Sequence, residues 1–462
     1  MKTFSLALRN LLRNRRRSLT TLLAMIIGLV AVLLFGGYRS NITYGSQTGF
    51  VQNSGHLQIQ RKDYFLDGSD NPTSYGIADY QRIVDAVKHD PVLAPMLTVV
   101  TPTLQLGGIA GNFSAGVSRS VIAVGLVAEE RNRMLSWNDY GVISYAKPLP
   151  LIGTREDAVV VGTGVARKLK LCNTLNVPNC VQAPSVTVSE GNPAPDDIAA
   201  LSALEKTNQP HPEVNRIEML ASTAHGAPNV ASLSVVAAEN KGIKALDDVY
   251  LAMHLVRAQK LIYGSASPQV TAIIVQLRHT DQIPAAHARL EQLLASEFKT
   301  EALEVLDFQV LNPIYGQTVQ FMNSMFGFIA TLIGVIVLFT IGNTMSTAVV
   351  ERTVEIGTLR AMGLRRSGIR RLFMCEALLL GVIGSAIGVL CALFIAYLIN
   401  HSGWSWTPPG YSYAYLILVR VWQDMSLLVG SVIGMILVTI LSAWWPANRA
   451  AKLMIVDALR HV

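Results

Sequence analysis

Charge is scarce in this chain. Only 15% of its 462 residues are Asp, Glu, Lys or Arg, while 51% are hydrophobic. An ordinary soluble domain carries about 25% charged residues, so part of this chain is expected to be solvated by lipid. Signatures of catalysis are also missing. The sequence has no Gly-x-x-x-x-Gly-Lys-Ser/Thr phosphate loop, no His-Glu-x-x-His pair and no Gly-x-Ser-x-Gly turn. His279 and His287 have no matching acid and read as surface histidines, and Gly162-Thr163-Gly164 reads as a turn. No catalytic, metal-binding or cofactor-binding set emerges, which argues against an enzyme. Cysteine is rare, at four residues.

Apolar sequence, by contrast, is concentrated. Leu19–Tyr38, Phe321–Val349, Phe373–Ile399 and Met425–Trp445 are apolar runs. Each has the roughly 20 residues a helix needs to cross the hydrocarbon core. The first could serve as a signal peptide, but Tyr38-Arg39-Ser40 is a poor cleavage site. Four transmembrane helices are therefore expected, at 19–38, 321–349, 373–399 and 425–445.

Acidic residues are absent before Leu19, where Lys2, Arg9, Arg13, Arg15, Arg16 and Arg17 stand. Arg352, Arg360, Arg365, Arg366, Arg370 and Arg371 follow the second run, with Glu351 and Glu355. Arg449, Lys452 and Arg460 follow the fourth, with Asp457. These segments together are more positive than the chain's net +7, so the remainder is net acidic. Cytoplasmic loops carry such an excess of Lys and Arg. The expectation is a cytoplasmic N-terminus (1–18), a cytoplasmic connection (350–372) and a cytoplasmic tail (446–462). A large domain (39–320) and a short loop (400–424) then lie on the other side. The pI near 9.2 is explained by topology, without nucleic-acid binding.

The 39–320 segment is long enough to bury its own core. His56–Gln60 alternates like a strand, and Tyr80, Ile83, Val84 and Val87 recur at helical spacing. Val121–Val124 and Ala272–Val275 read as strands, Ile283 to Leu294 as a helix, and Val305–Val310 as a strand. Two strand–helix–strand units thus bracket a middle section, Tyr140 to about Gly264. The pattern suggests a mixed α/β domain made of a split porter-like subdomain with a second subdomain inserted. Pro184–Pro212 reads as an exposed Pro-rich insertion. Cys172 and Cys180 fall in this domain, and an oxidising compartment would let them pair.

Small residues recur four apart at Gly381, Gly384, Ser385 and Gly388 and again at Gly430 and Gly434. Such spacing lets helices approach closely, in a bundle or a dimer. Glu376 is the one clear intramembrane ion, expected to snorkel or to pair with a nearby Arg. Trp404, Trp406, Tyr411, Tyr413, Tyr415 and Trp422 crowd the 400–424 loop and are expected to anchor it at the membrane–water interface.

The stretch Val350–Gly381, VERTVEIGTLRAMGLRRSGIRRLFMCEALLLG, resembles the FtsX-like permeases of ABC transporters, the family of MacB and of LolC and LolE. The matching positions are Glu351, Arg352, Glu355, Ile356, Gly357, Leu359, Arg360, Ala361 and Gly363, then Glu376-Ala377-Leu378. Pro446-Ala447-x-Arg449-Ala450-Ala451, Asp457-Ala458-Leu459-Arg460, Leu8-Arg9-Asn10-Leu11 and Gly162–Leu171 also fit. In place of the family's Gly-Asp after that last segment stands Cys172-Asn173.

The resemblance implies a permease subunit in a bacterial inner membrane, with its large domain in the periplasm. It implies a separate ABC ATPase subunit that binds Mg-ATP, a second permease subunit (a copy or a paralogue), and membrane lipid. A periplasmic adaptor or chaperone is a further candidate partner. The cargo would be a lipoprotein, lipid, peptide or hydrophobic small molecule, moved by mechanotransmission. An FtsX-type module that regulates a cell-wall hydrolase is the alternative. The 350–372 segment would be the coupling helix. Glu351, Arg352, Glu355 and Arg360 would surround an apolar edge of Ile356, Leu359 and Met362.

Overall fold

The computed structural model describes residues 7, 9, 13, 15–68, 71–178, 180 and 215–454. The insertion 184–212 and Asp457–Arg460 lie outside the described residues. In chain order the helices are α1 (Arg15–Ser54), α2 (Tyr80–His89), α3 (Ala128–Leu135), α4 (Thr163–Lys168), α5 (Leu255–Tyr263), α6 (Ile283–Glu297), α7 (Pro313–Glu351), α8 (Thr353–Ala361), α9 (Arg366–His401) and α10 (Met425–Lys452). The strands are β1 (Leu57–Arg61), β2 (Leu97–Asn112), β3 (Val117–Leu126), β4 (Ala158–Gly162), β5 (Arg216–Ser222), β6 (Pro228–Glu239), β7 (Tyr250–His254), β8 (Ala272–Leu277) and β9 (Leu303–Asp307). The chain divides into a helical unit (Met1–Ser46, Ile314–Trp406 and Tyr415–Val462) and an α/β unit (Gln47–Pro313 and Thr407–Ala414).

Four helices are long and apolar enough to cross a membrane: 18–54 of α1, then α7, α9 and α10. Apolar length sets where a span lies but not where its helix stops. At 1.5 Å per residue, α1 and α7 are about 60 Å long, twice the hydrocarbon thickness. The helices expected at 19–38 and 321–349 therefore continue, to Ser54 and back to Pro313. Polar residues end a span; only a backbone that cannot stay helical ends a helix. The fourth helix likewise runs past Trp445 through Pro446 to Lys452. Pro446 cannot bond the carbonyl of Ser442, and Gly342 of α7 leaves room beside that oxygen, where a Cβ would sit 3.7 Å away.

The α/β unit has two layers of architecture joined by one strand. The first half of β2 pairs antiparallel with β8, β8 with β1, and β1 with β9. With α2 and α6 as crossovers, this is a β-α-β…β-α-β sheet in the order β2-β8-β1-β9. The second half of β2 pairs with β3 and β5. From there β3–β7, β7–β4, β4–β6 and β6–β5 close the ring. Closure leaves these six strands no free edge. Leu104, Leu106, Val121, Met219, Leu233 and Leu251 are buried in the same core as Ile59, Ile83 and Leu290 of the neighbouring sheet. Each fully buried side chain of this size contributes roughly 1.5–3 kcal/mol.

Two strand expectations need correction. The second strand of the first β-α-β unit is β2, not 121–124, which belongs to the closed ring as part of β3. The strand expected at 305–310 stops at Asp307, whose carboxylate accepts from the amides of Gln309 and Val310 (both 2.9 Å) and caps a helical turn. The end of α1 is fixed in this unit by polar contacts, two of them buried. Gln52 donates to the Trp137 carbonyl (2.8 Å), Gln276 to that of Val51 (3.3 Å) and Arg131 to that of Asn53 (2.7 Å).

Candidate functional site

The most distinctive local structure of the helical unit lies where α7 gives way to α9. The sequence suggests one coupling helix over 350–372. Instead Arg352 leaves helical geometry, α8 spans nine residues, and Gly363 turns the chain at φ +92° before α9 begins at Arg366. That φ favours glycine, because a side chain is strained in this backbone conformation even where the surrounding space is open.

Arg352 fixes this junction. Its side chain is only 8% exposed and that of its partner, Glu376 on α9, 4%. One guanidinium nitrogen of Arg352 donates to both carboxylate oxygens of Glu376, at 3.1 and 3.2 Å. Its Nε lies 3.4 Å from Glu355. Arg13 pairs with Glu355 from α1's side, and Arg360 donates to the carbonyl of Leu453 just beyond α10. Arg352 and Arg360 thus turn inward and tie α8 to α9 and to the end of α10, while Glu355 stays exposed. Glu376 pairs with an Arg rather than snorkelling. Glu351 is exposed at the end of α7.

The apolar edge is rearranged as well. Ile356 is 3% exposed and packs with Ile341, Met345, Ile369 and Ala447, with Leu359 half-buried against the same cluster. Met362 is 71% exposed. The reason is geometric: each step of three residues turns a helix by 300°, so Met362 points about 120° away from Ile356. The open side of α8 is therefore Val354, Glu355, Thr358, Ala361 and Met362, at helical spacing on one face. Val354 and the turn residue Leu364 are also exposed.

Small residues split into two groups. A Cβ on Gly381 would lie 3.4 Å from Thr439 of α10. On Gly384 and Gly388 it would meet Met25 and Leu29 of α1 at 3.2 and 3.0 Å. Ser385 is buried beside them. This stripe packs α9 within the chain. Among the described residues outside the α10 backbone itself, a Cβ on Gly430 or Gly434 would meet nothing within 4 Å. In the α/β unit Cys172 and Cys180 are joined as a disulfide with Cα atoms 6.1 Å apart. Cys375 and Cys391 are free thiols in α9.

The 400–424 aromatics, expected as one interfacial group, divide in two. Trp404, Trp406 and Trp422 are exposed, but Tyr411 and Tyr413 make contacts inside the α/β unit. Among the described residues no group of three or more His, Cys, Asp and Glu is placed to hold a metal ion.

Residues 326–455, which include the whole junction, match the family described as FtsX-like permease C-terminal. The chain is 34% identical over 144 residues to the ABC transporter permease YtrF of Bacillus subtilis, covering 29% of this chain and 31% of that protein. It is 30% identical over 226 residues to the macrolide export ATP-binding/permease protein MacB of Bordetella avium, covering 44% of this chain and 32% of that one. Similarity to the lipoprotein-releasing system transmembrane protein LolC of Neisseria meningitidis serogroup B is 26% over 243 residues, covering 51% and 56%. The chain thus spans between about a third and about half of these relatives' length.

Proposed function

We propose, from the match of residues 326–455 to the family described as FtsX-like permease C-terminal, that this chain is the membrane subunit of an ABC transporter of the MacB and LolC type. The observation that carries the reading is α8. It is a short helix locked to the bundle on one face by Ile356 and by the Arg352–Glu376 pair, with Val354, Thr358 and Met362 left open on the other. A rigid, partly apolar projection of this kind suits transmission of force from a partner.

In this reading a separate ATPase subunit docks on α8 from the cytoplasm and performs all ATP chemistry. The chain sits in a bacterial inner membrane, with both termini and α8 on the basic, cytoplasmic side. The α/β unit faces the periplasm, where the Cys172–Cys180 disulfide is in keeping with an oxidising compartment. ATP-driven closure of the ATPase pair moves α8, and the long α1 and α7, which continue beyond the span, carry the movement outward. The cargo class is a lipoprotein, lipid, peptide or hydrophobic small molecule, and a second permease subunit completes the assembly. A hydrolase-regulating module is the lesser reading, because an α/β unit of this size exceeds what a regulatory contact needs.

The test is to purify the tagged chain from its native membrane under mild conditions. An ABC ATPase should come with it, and ATP hydrolysis should appear only in fractions that contain that subunit. Hydrolysis by the chain alone, or absence of any ATPase, would contradict the proposal.

A further inference from the structure

The Gly162-Thr163-Gly164 turn and the tyrosines of the 407–414 loop converge on one place in the α/β unit. A Cβ on Gly162 would lie 2.2 Å from the carbonyl oxygen of Asp247, and one on Gly164 2.1 Å from the Asp248 carboxylate. Only glycine lets the start of α4 come this close to the helical turn Lys244–Asp247. Asp247 is 2% exposed. Its carboxylate accepts from the Lys241 amide at 2.6 Å and from the Thr163 hydroxyl at 3.3 Å, with the Ser412 hydroxyl at 3.5 Å. Burial raises the carboxyl above its ordinary range, partly offset by the Lys241 amide.

The loop adds to this turn by backbone pairing. The Ser412 amide donates to the Gly242 carbonyl at 2.8 Å, and the Lys244 amide to that of Gly410 at 3.0 Å. Ile243 and Tyr411 form an antiparallel bridge. The Ser412 hydroxyl donates to Asn240 Oδ1 at 2.5 Å. Gly242, at φ +85°, lies under Tyr413, where a Cβ would come within 2.8 Å of the phenol oxygen. The Tyr413 ring is 5.5 Å from that of Tyr145. Paired amides in register distinguish this from loose surface packing. The tip of the loop is built into the α/β unit, while Trp406 before it and Tyr415 after it belong to the helical unit.

We propose that residues 407–414 are a clasp, a third attachment besides α1 and α7, through which the α9–α10 hairpin acts on the ring of strands at β4 and β7. The proposal rests on the permease reading above. Asp247 is a positioning residue in it: the carboxylate holds 240–247 in the shape that receives the loop. Ser412 is the side chain through which the loop engages both Asn240 and Asp247.

Hydrogen exchange on the full chain in lipid nanodiscs tests this. Replacing 407–414 by Gly/Ser of equal length should make the Lys244 amide exchange about tenfold faster or more, since the carbonyl at position 410 is no longer held against it. In the complex with the co-purified ATPase, the nucleotide-dependent change in exchange at 250–254 should vanish in Ser412→Ala and return in Ser412→Thr. Both variants should still bring down the ATPase. Unchanged protection of Lys244 after loop replacement, or an undiminished nucleotide response in Ser412→Ala, overturns the clasp. Failure of the wild-type chain to recruit an ATPase would instead strike the permease reading, and the Lys244 measurement would still decide the clasp.

Discussion

His56 shows how a single side chain can tie stability to pH. It is fully buried where α1 meets β1. Its Nδ1 accepts from the Leu277 amide at 3.0 Å, which places the ring proton on Nε2, 3.3 Å from the Thr280 hydroxyl. The edge of the ring meets Trp137. Burial lowers its pKa from the ordinary 6.5 to about 4, against an opposing pull from Asp139. The neutral form is therefore favoured in the fold, and the unfolded chain takes up a proton first as pH falls. The stabilisation is complete above about pH 6.5, declines between 6.5 and 4, and is spent below. The span corresponds to roughly 3 kcal/mol. Denaturation of the α/β unit, followed by Trp137 fluorescence, should show this slope in the wild type. His56→Gln should flatten it; an equal slope in both proteins would refute the assignment.

Among elements, the α7–α8–α9 junction depends on the Arg352–Glu376 pair. A buried pair is weak evidence of net stability, but removing one partner strands the other, at a cost of about 3–5 kcal/mol. Glu376→Gln should therefore lower the thermal midpoint of the chain in detergent. Arg352→Met combined with Glu376→Leu should recover most of the loss. A single variant as stable as wild type would show that the pair does not hold the junction. The elements themselves were unevenly legible in sequence. The spans were readable because lipid demands long apolar runs. Ile356, Leu359 and Met362 are legible as an apolar group, but a strict spacing of three drifts around a helix of 3.6 residues per turn, so they do not share one face. β2 is not legible in sequence because Pro102, Gly107 and Gly108 and several threonines dilute its alternation. The contacts of Gly162 and Gly164 could not be seen from local sequence, since their partner Asp247 is more than eighty residues away.

Taken whole, the molecule is a helical unit that presents α8 and an α/β unit built from a closed ring and a β-α-β…β-α-β sheet sharing β2. Its proposed work depends on α8 being the face that meets the ATPase. Site-specific photocrosslinking tests this most directly. A photoreactive residue placed at Val354 or Met362 should give a crosslinked product with the ATPase in native membranes, and one at Val382, exposed on the apolar span of α9, should not. Met362→Asp should weaken the association about tenfold or more, as loss of an interface anchor does, while leaving the thermal midpoint unchanged. Crosslinks to the ATPase from Val382 but not from Val354 or Met362 would contradict the account.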